Sequence, residues 1–370
     1  DDKRFYEEGV FKVGKALKLM EEPDRLLAHM QDFQTQNPRS PRVAEAVFQI
    51  GWVYRQRDEP EKARQVYWDA IMEHGDDPSI RSVEDLFPAL FRLYKGDDAP
   101  QYLALLRDLQ EEAESKKQTT LAMRTLWAQA TALRKTDPEK SQSLFLAAAA
   151  LANVESTNPL LLADFADALQ SAGKTAESST MFRDLVKWNP RAPQKDRALA
   201  ALGFMELANG NDKAALAFFD RFAREAQGSR ETGRVLLARA ALLEERGKSD
   251  EARQALETLL VNEYTSGQQK AEALYLLGNS QLRAGKPQLA IPYYQRVYVM
   301  HGRWRDWVAK AYLASGQAFE KLNDTTSARK TYQELGEKED LAGLPEVVTA
   351  NERLNALGGP VVATPEPAQG

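Results

Sequence analysis

The chain has 370 residues, with 49 Lys plus Arg against 54 Asp plus Glu, and so a formal charge of −5. That mild acidity argues against a nucleic-acid surface, which usually carries a basic patch or stripe; 43% hydrophobic and 28% charged residues is ordinary globular composition. Cysteine is absent, which excludes disulfides, thiolate catalysis, zinc ribbons and iron–sulfur ligation and leaves the compartment open.

The chain opens on Asp1 with no methionine or signal-like segment, which reads as a processed form or an excerpt. From there one pattern recurs. Small residues stand at Gly14, Gly51, Ala89, Ala128, Ala166, Gly203, Ala240, Gly278 and Gly316, spaced 37, 38, 39, 38, 37, 37, 38 and 38 apart. Internal repeats of this length signal stacked helical units, here nine, each with two amphipathic helices.

In repeat 1, His29 lies in Leu26–Met30 on the second helix, a place for packing or surface rather than catalysis. Repeat 2 has Ala46–Tyr54 in its first helix and Glu61–Tyr67 in its second. His74 precedes Gly75, and His301 precedes Gly302; both read as helix-end residues near terminal carbonyls. The acidic pairs Asp76-Asp77 and Asp97-Asp98 lack the alternating ligands and closing Glu of a calcium loop. Helix capping and turn formation account for them better.

Repeats 3 and 4 are degenerate and are placed mainly by spacing. Glu111–Glu114 followed by Lys116-Lys117 reads as a solvated helical face. The longest apolar run, Leu144 to Ala152, has nine residues, against the roughly 20 that span a bilayer. Further turns fall at Gly173-Lys174, Gly210-Asn211, Gly247-Lys248, Gly285-Lys286-Pro287 and Asn323-Asp324. In repeat 8, Leu274, Leu277 and Gly278 share one helical face with the polar Gln281, and Ala290, Tyr294 and Val297 form the buried stripe of the second helix. Pro345 to Leu357 reads as a last helix covering repeat 9. Gly358-Gly359 stops it, and 358–370 reads as a disordered tail. No linker interrupts residues 1–357, which read as one continuous solenoid.

The small anchors have a steric reason: paired helices joined by a short turn cross closely, and a large residue of the second helix (Tyr67, Phe182, Phe219, Tyr294, Tyr332) fills the space beside the crossing. These features, with Asn37-Pro38, Asn158-Pro159 and Asn189-Pro190 closing units, resemble tetratricopeptide repeats (TPR) over about residues 5 to 340. The period departs from the roughly 34 residues of the standard repeat, and the aromatic that opens the first helix is mostly missing. The resemblance implies an all-α, right-handed solenoid. Phe33 to Tyr54, and less closely Ile291 to Tyr312, resemble the repeat junctions of bacterial cell-envelope TPR proteins, which points to the periplasm or outer membrane, with the cytoplasm as the alternative.

No phosphate loop, dinucleotide fingerprint, nucleophile elbow or paired-histidine metal helix is present. No catalysis, cofactor, metal, nucleic-acid partner or membrane insertion is expected. TPR solenoids work through the surface lined by their first helices. The positions left for that surface are Glu45, Phe48, Trp52 and Arg55 in repeat 2; Leu86, Leu90 and Leu93 with Tyr94 in repeat 3; and Arg197, Ala200, Phe204 and Leu207 in repeat 6. Repeat 8 gives Glu272, Tyr275, Asn279 and Leu282, and repeat 9 gives Lys310, Leu313, Gln317 and Glu320. Aromatics and Arg dominate binding hot spots, so Trp52, Arg55, Tyr94, Phe204, Tyr275 and Asn279 are the candidate contacts to a protein or peptide segment. The competing reading packs them against neighbouring first helices. Asn279 also matches chaperone-binding TPR domains that clamp a terminal carboxylate, but Ala314 and Leu276 stand where that clamp needs polar groups, which argues against it. Trp304 and Trp307, flanked by arginines, form either a second recognition patch or the plug of a junction core. The alternative function is a spacer or self-assembling arm of a larger secretion or polysaccharide-export machine.

Overall fold

A computed structural model describes residues 2–361, apart from 95, 97, 98 and 227. The Asp97-Asp98 pair and the tail beyond 361 lie outside the described residues. The chain forms two compact units, Asp1–Ala198 and Leu199–Gly370.

The described residues are helical and contain no strand. In the N-terminal unit α1 (Asp2–Leu19) pairs with α2 (Pro23–Gln36), and α3 (Val43–Gln56) with α4 (Pro60–His74). A 3-10 turn (Arg81–Asp85) leads into a short α5 (Leu86–Phe91), followed by α6 (Ala99–Ser115). Next come α7 (Thr119–Leu133) with α8 (Pro138–Leu151), and α9 (Pro159–Ser171) with α10 (Thr175–Trp188). The boundary between units falls inside α11 (Gln194–Ala208). The C-terminal unit continues with α12 (Asp212–Glu225), α13 (Thr232–Glu245), α14 (Ser249–Val261), α15 (Gly267–Arg283), α16 (Pro287–Met300), α17 (Arg305–Lys321), α18 (Thr325–Gly336) and α19 (Pro345–Ala356). Every anchor residue falls in the first helix of its pair.

One turn device joins most pairs. A single residue goes left-handed, and the next N–H bonds the carbonyl five residues back, which satisfies an orphan helix-end group. Gly285 (φ 72°) is followed by a Lys286 N–H to Gln281 O bond of 3.0 Å, and Asn323 (φ 58°) by Asp324 N–H to Phe319 O at 3.0 Å. Glu21 and Asp58 do the same job at φ 57°, turns that carry no glycine signal in the sequence.

The steric reading of the anchors holds. A Cβ built on Gly51 would lie 2.2 Å from Cε1 of Tyr67; on Gly278, 2.4 Å from Cε1 of Tyr294; and on Gly316, 2.2 Å from Cε1 of Tyr332. All three tyrosines are fully buried, so the ring occupies the volume that the missing side chain vacates. Between α16 and α17, Tyr298 and Tyr312 stack with centroids 3.9 Å apart.

Repeats 3 and 4 differ. Because its first helix is cut to six residues, the phase expected for repeat 3 does not hold. Leu86 and Leu90, expected on the partner-facing surface, are fully buried. The organising group is Arg124 of α7, itself 1% exposed. It donates to Glu84 Oε1 at 2.9 Å, Gly75 O at 2.7 Å, Asp77 O at 3.0 Å and Ile80 O at 3.0 Å. Burial pushes the Glu84 carboxyl up, against the pull of Arg124. Asp76 accepts from the N–H groups of Thr120 and Leu121 at the start of α7, and Asp77 from the N–H and hydroxyl of Ser79. Capping and turn formation are thus the roles of that acidic pair.

At the other end, α19 buries Val347, Ala350 and Leu354. Of the segment 358–370, residues 358–361 are described. Arg329 Nε donates to Gly359 O at 2.6 Å, its Nη2 donates to Pro360 O at 2.8 Å, and Val361 N–H reaches Gln333 Oε1 at 3.1 Å. Among the described residues no helix is long and apolar enough to cross a membrane, and no group of three or more His, Asp or Glu could hold a metal.

Candidate first-helix interaction surfaces

In the N-terminal unit, α1 and α3 set two half-buried aromatic side chains, Phe48 and Trp52, and the buried Phe11 around two clefts. One cleft, of about 500 Å³, is lined by Phe11, Lys12, Lys15, Arg42 and Phe48 among others; its neighbour, of about 660 Å³, by Lys15, Lys18, Leu19, Trp52 and Gln56. Lys18 Nζ lies 4.2 Å from the centroid of the Trp52 ring, and the Arg42 guanidinium 3.7 Å from that of Phe11. Arg42 is also held by two 2.8 Å bonds to Glu45. Cations over aromatic faces are attracted by the ring quadrupole and leave the ring edge for a ligand. Phe11, Lys15 and Lys18 were not among the candidates. The signal was available: they stand three before, one after and four after Gly14, the offsets that select Phe48, Trp52 and Arg55 around Gly51.

Arg55 is half-buried beside the Tyr67 hydroxyl, where its charge opposes the upward push of burial on that phenol. Tyr94 falls in the turn after α5 rather than on a helix; the Arg64 guanidinium covers its ring at 4.5 Å, and Tyr102 packs against it at 5.7 Å. Neither lines the clefts around Trp52.

In the C-terminal unit, Phe204 lies edge-on to Phe219 at 5.0 Å with the Arg234 guanidinium 4.6 Å from its ring. Tyr275 bridges Tyr294 at 5.9 Å and Trp307 at 5.6 Å, and Lys310 Nζ sits 4.7 Å from the Trp307 ring. Asn279 is engaged: its Oδ1 accepts from the Tyr294 hydroxyl at 2.8 Å. Burial drives the Tyr294 phenol far above its ordinary range, so it stays a donor. Trp304 and Trp307 are half-buried on the core formed by Leu274, Ile291, Tyr294 and Val297. Gly267 leaves room for Trp304, whose Nε1 would lie 2.9 Å from an added Cβ. The structure therefore brings Tyr275, Asn279 and Trp307 together around Tyr294.

The histidines have structural places. His29 Nε2 bonds Val10 O at 2.9 Å. His74 ends α4 and is buried, and His301 caps α16. Burial first, then Lys270 and Arg296, lower the His301 pKa.

A tetratricopeptide-repeat family model matches residues 163–230 and 237–304, and a second of the same description matches 310–339. No curated protein sequence matches the chain. Among solved structures, the C-terminal part of a TPR repeat-containing protein from Cytophaga hutchinsonii is similar at TM-score 0.54 and 11% identity. The match covers 71% of this chain and 98% of that one. PilF of Pseudomonas aeruginosa is similar at TM-score 0.42 and 16% identity, over 72% and 97%. YrrB, described as a TPR protein with an unusual peptide-binding site, gives TM-score 0.42 and 15% identity, over 56% and 97%. Helix pairs recur through both units, and over residues 163–339, repeats 5 to 9, this chain carries tetratricopeptide repeats.

Proposed function

We propose that the protein is a non-catalytic scaffold that binds a segment of a partner protein on the surface of its first helices, in the bacterial cell envelope. The observation that carries this reading is the pair of clefts between α1 and α3, where Trp52 and Phe48 stand half-buried, over the buried Phe11, beside Lys15, Lys18 and Arg42. Such a surface offers rigid aromatic anchors within a polar rim, the make-up of a hot spot. Phe204, Tyr275, Asn279, Trp304 and Trp307 are the corresponding proposal for the C-terminal unit, and Arg55 and Tyr94 flank the first site. The envelope location draws on the junction resemblance at Phe33–Tyr54.

The test uses immobilised wild type and Trp52→Ala with envelope and cytosolic fractions of the source cells. Trp52 is half-buried at the edge of the core, so circular dichroism first establishes that the variant is folded. The proposal expects an envelope protein captured by wild type and reduced about tenfold or more with the variant, the loss that removing a hot-spot residue entails. Equal capture by both would move the site off Trp52; capture confined to cytosolic proteins would overturn the location.

A further inference from the structure

Three lysines of α1 stand without a counter-charge. Lys12, Lys15 and Lys18 recur every third residue, are exposed, and border the clefts that this chain's own α1 and α3 enclose. None of the three has an ion-pair partner among the described residues. The other charges there are engaged: Arg42 by Glu45, Glu22 by Arg25, and Glu8 likewise. Among the described residues, Glu21 is the one bordering carboxylate left unpaired. The C-terminal unit is built otherwise, for Arg234, over the Phe204 ring, is held by Glu231, and Lys310, beside Trp307, acts on Glu272. The whole chain carries a charge of −5, so this cationic ladder is not a consequence of composition. Lys18, in the last turn, also meets the negative end of the helix dipole, but Lys12 lies about two turns from that end.

We infer that the segment bound in these clefts is acidic: an aromatic or aliphatic side chain seats against Trp52 and Phe48, and Asp or Glu residues beside it in sequence meet Lys12, Lys15 and Lys18. This rests on the clefts being the binding site proposed above and adds the chemistry of the occupant. Charge and apolar face stand side by side here, since Lys18 Nζ lies 4.2 Å from the centroid of the Trp52 ring. A ligand that offers only one of the two leaves the other unused. Exposed ammonium–carboxylate contacts of this kind steer the approach and choose the partner more than they hold it. The same lysines repel a basic segment, which is half of the selectivity. Such contacts weaken as salt shortens the Debye length.

The test selects peptides from a random library of short segments on the immobilised full chain, and repeats the selection on Trp52→Ala to remove sequences that bind elsewhere. Peptides kept by wild type alone should be rich in Asp and Glu around one aromatic or aliphatic residue. A synthetic copy of the commonest should lose more than about tenfold in affinity to the combined variant Lys12→Glu, Lys15→Glu and Lys18→Glu. Raising the salt from about 0.05 to about 0.5 M should weaken its binding to wild type in the same direction. All three lysines are exposed, and circular dichroism first establishes that the variant is folded. Poly-glutamate, which has the charge and no anchor, should bind wild type at least about tenfold more weakly than the selected peptide. Peptides dependent on Trp52 that are neutral or basic, or acidic ones indifferent to the lysine variant, overturn the inference and leave the clefts a binding site. Equal binding of poly-glutamate also overturns it, because charge alone would then suffice. The absence of any peptide dependent on Trp52 overturns the site itself, and the inference with it.

Discussion

In repeats 8 and 9 the crossing of paired helices is an apolar contact. Gly278 and Gly316 vacate a volume that Tyr294 and Tyr332 fill, and the period alone locates each partner. In repeats 3 and 4 a buried guanidinium does the equivalent work. Arg124 gathers three carbonyls and a carboxylate from a segment with no regular first helix. The difference teaches that a repeat can lose its steric signature without losing its place in the stack, provided that another group satisfies the backbone it leaves irregular. A buried polar network does this at a different risk, because its members are costly to leave unpaired.

The sharpest break in that comparison is Arg124→Met. It leaves the Glu84 carboxyl and three carbonyls without their donor in a dry site, and removal of one partner of a buried pair costs about 3–5 kcal/mol. With two compact units, a single global midpoint is a poor readout. Native-state hydrogen exchange is the better measurement: protection should fall in α5 to α8 and stay unchanged in α15 to α18. Adding Glu84→Met should recover part of the loss, since apolar replacement of a whole buried pair is often neutral. Uniform loss through both units would mean that Arg124 is not a local lock.

Next in size is Gly278→Leu. Its Cβ alone would stand 2.4 Å from the Tyr294 ring, and overpacking of this kind costs about 1–3 kcal/mol. Urea unfolding followed through α15 and α16 should show that loss, with α5 to α8 untouched. An unchanged midpoint would contradict the steric account of the anchors.

The same contrast explains what was legible in the sequence. The anchor spacing located every helix pair, because a small residue on the first helix meets a large one on the second, a ring at Tyr67, Phe219, Tyr294 and Tyr332 and a methionine at Met30. The partner-facing phase leaves Phe48, Trp52 and Tyr275 half-buried on regular first helices, but it failed at Ala200, fully buried in α11, and at Leu86 and Leu90, where the helix is six residues long. Arg124 gave no signal: in sequence it is one charged residue in a helix, and its acceptors lie 40 to 49 positions away. The bond between Asn279 and Tyr294 was equally hidden, since periodicity places both near the crossing without saying that one serves the other.

That bond gives the smallest effect and the finest test. Tyr294→Phe removes a single donor, worth about 0.5–1.5 kcal/mol, and leaves a half-buried Asn279 that water can reach. Tyr102→Phe in the N-terminal unit removes the 3.0 Å bond to Phe87 O. It should cost more, because both residues there are 1% exposed and the carbonyl cannot be rehydrated. A double-mutant cycle of Tyr294→Phe with Asn279→Ala then decides what Asn279 is for. Coupling of about 1 kcal/mol in stability, with partner capture unaltered, makes the amide a brace for the ring. Capture lost with Asn279→Ala, yet kept with Tyr294→Phe, makes it a partner contact that the tyrosine only holds in waiting.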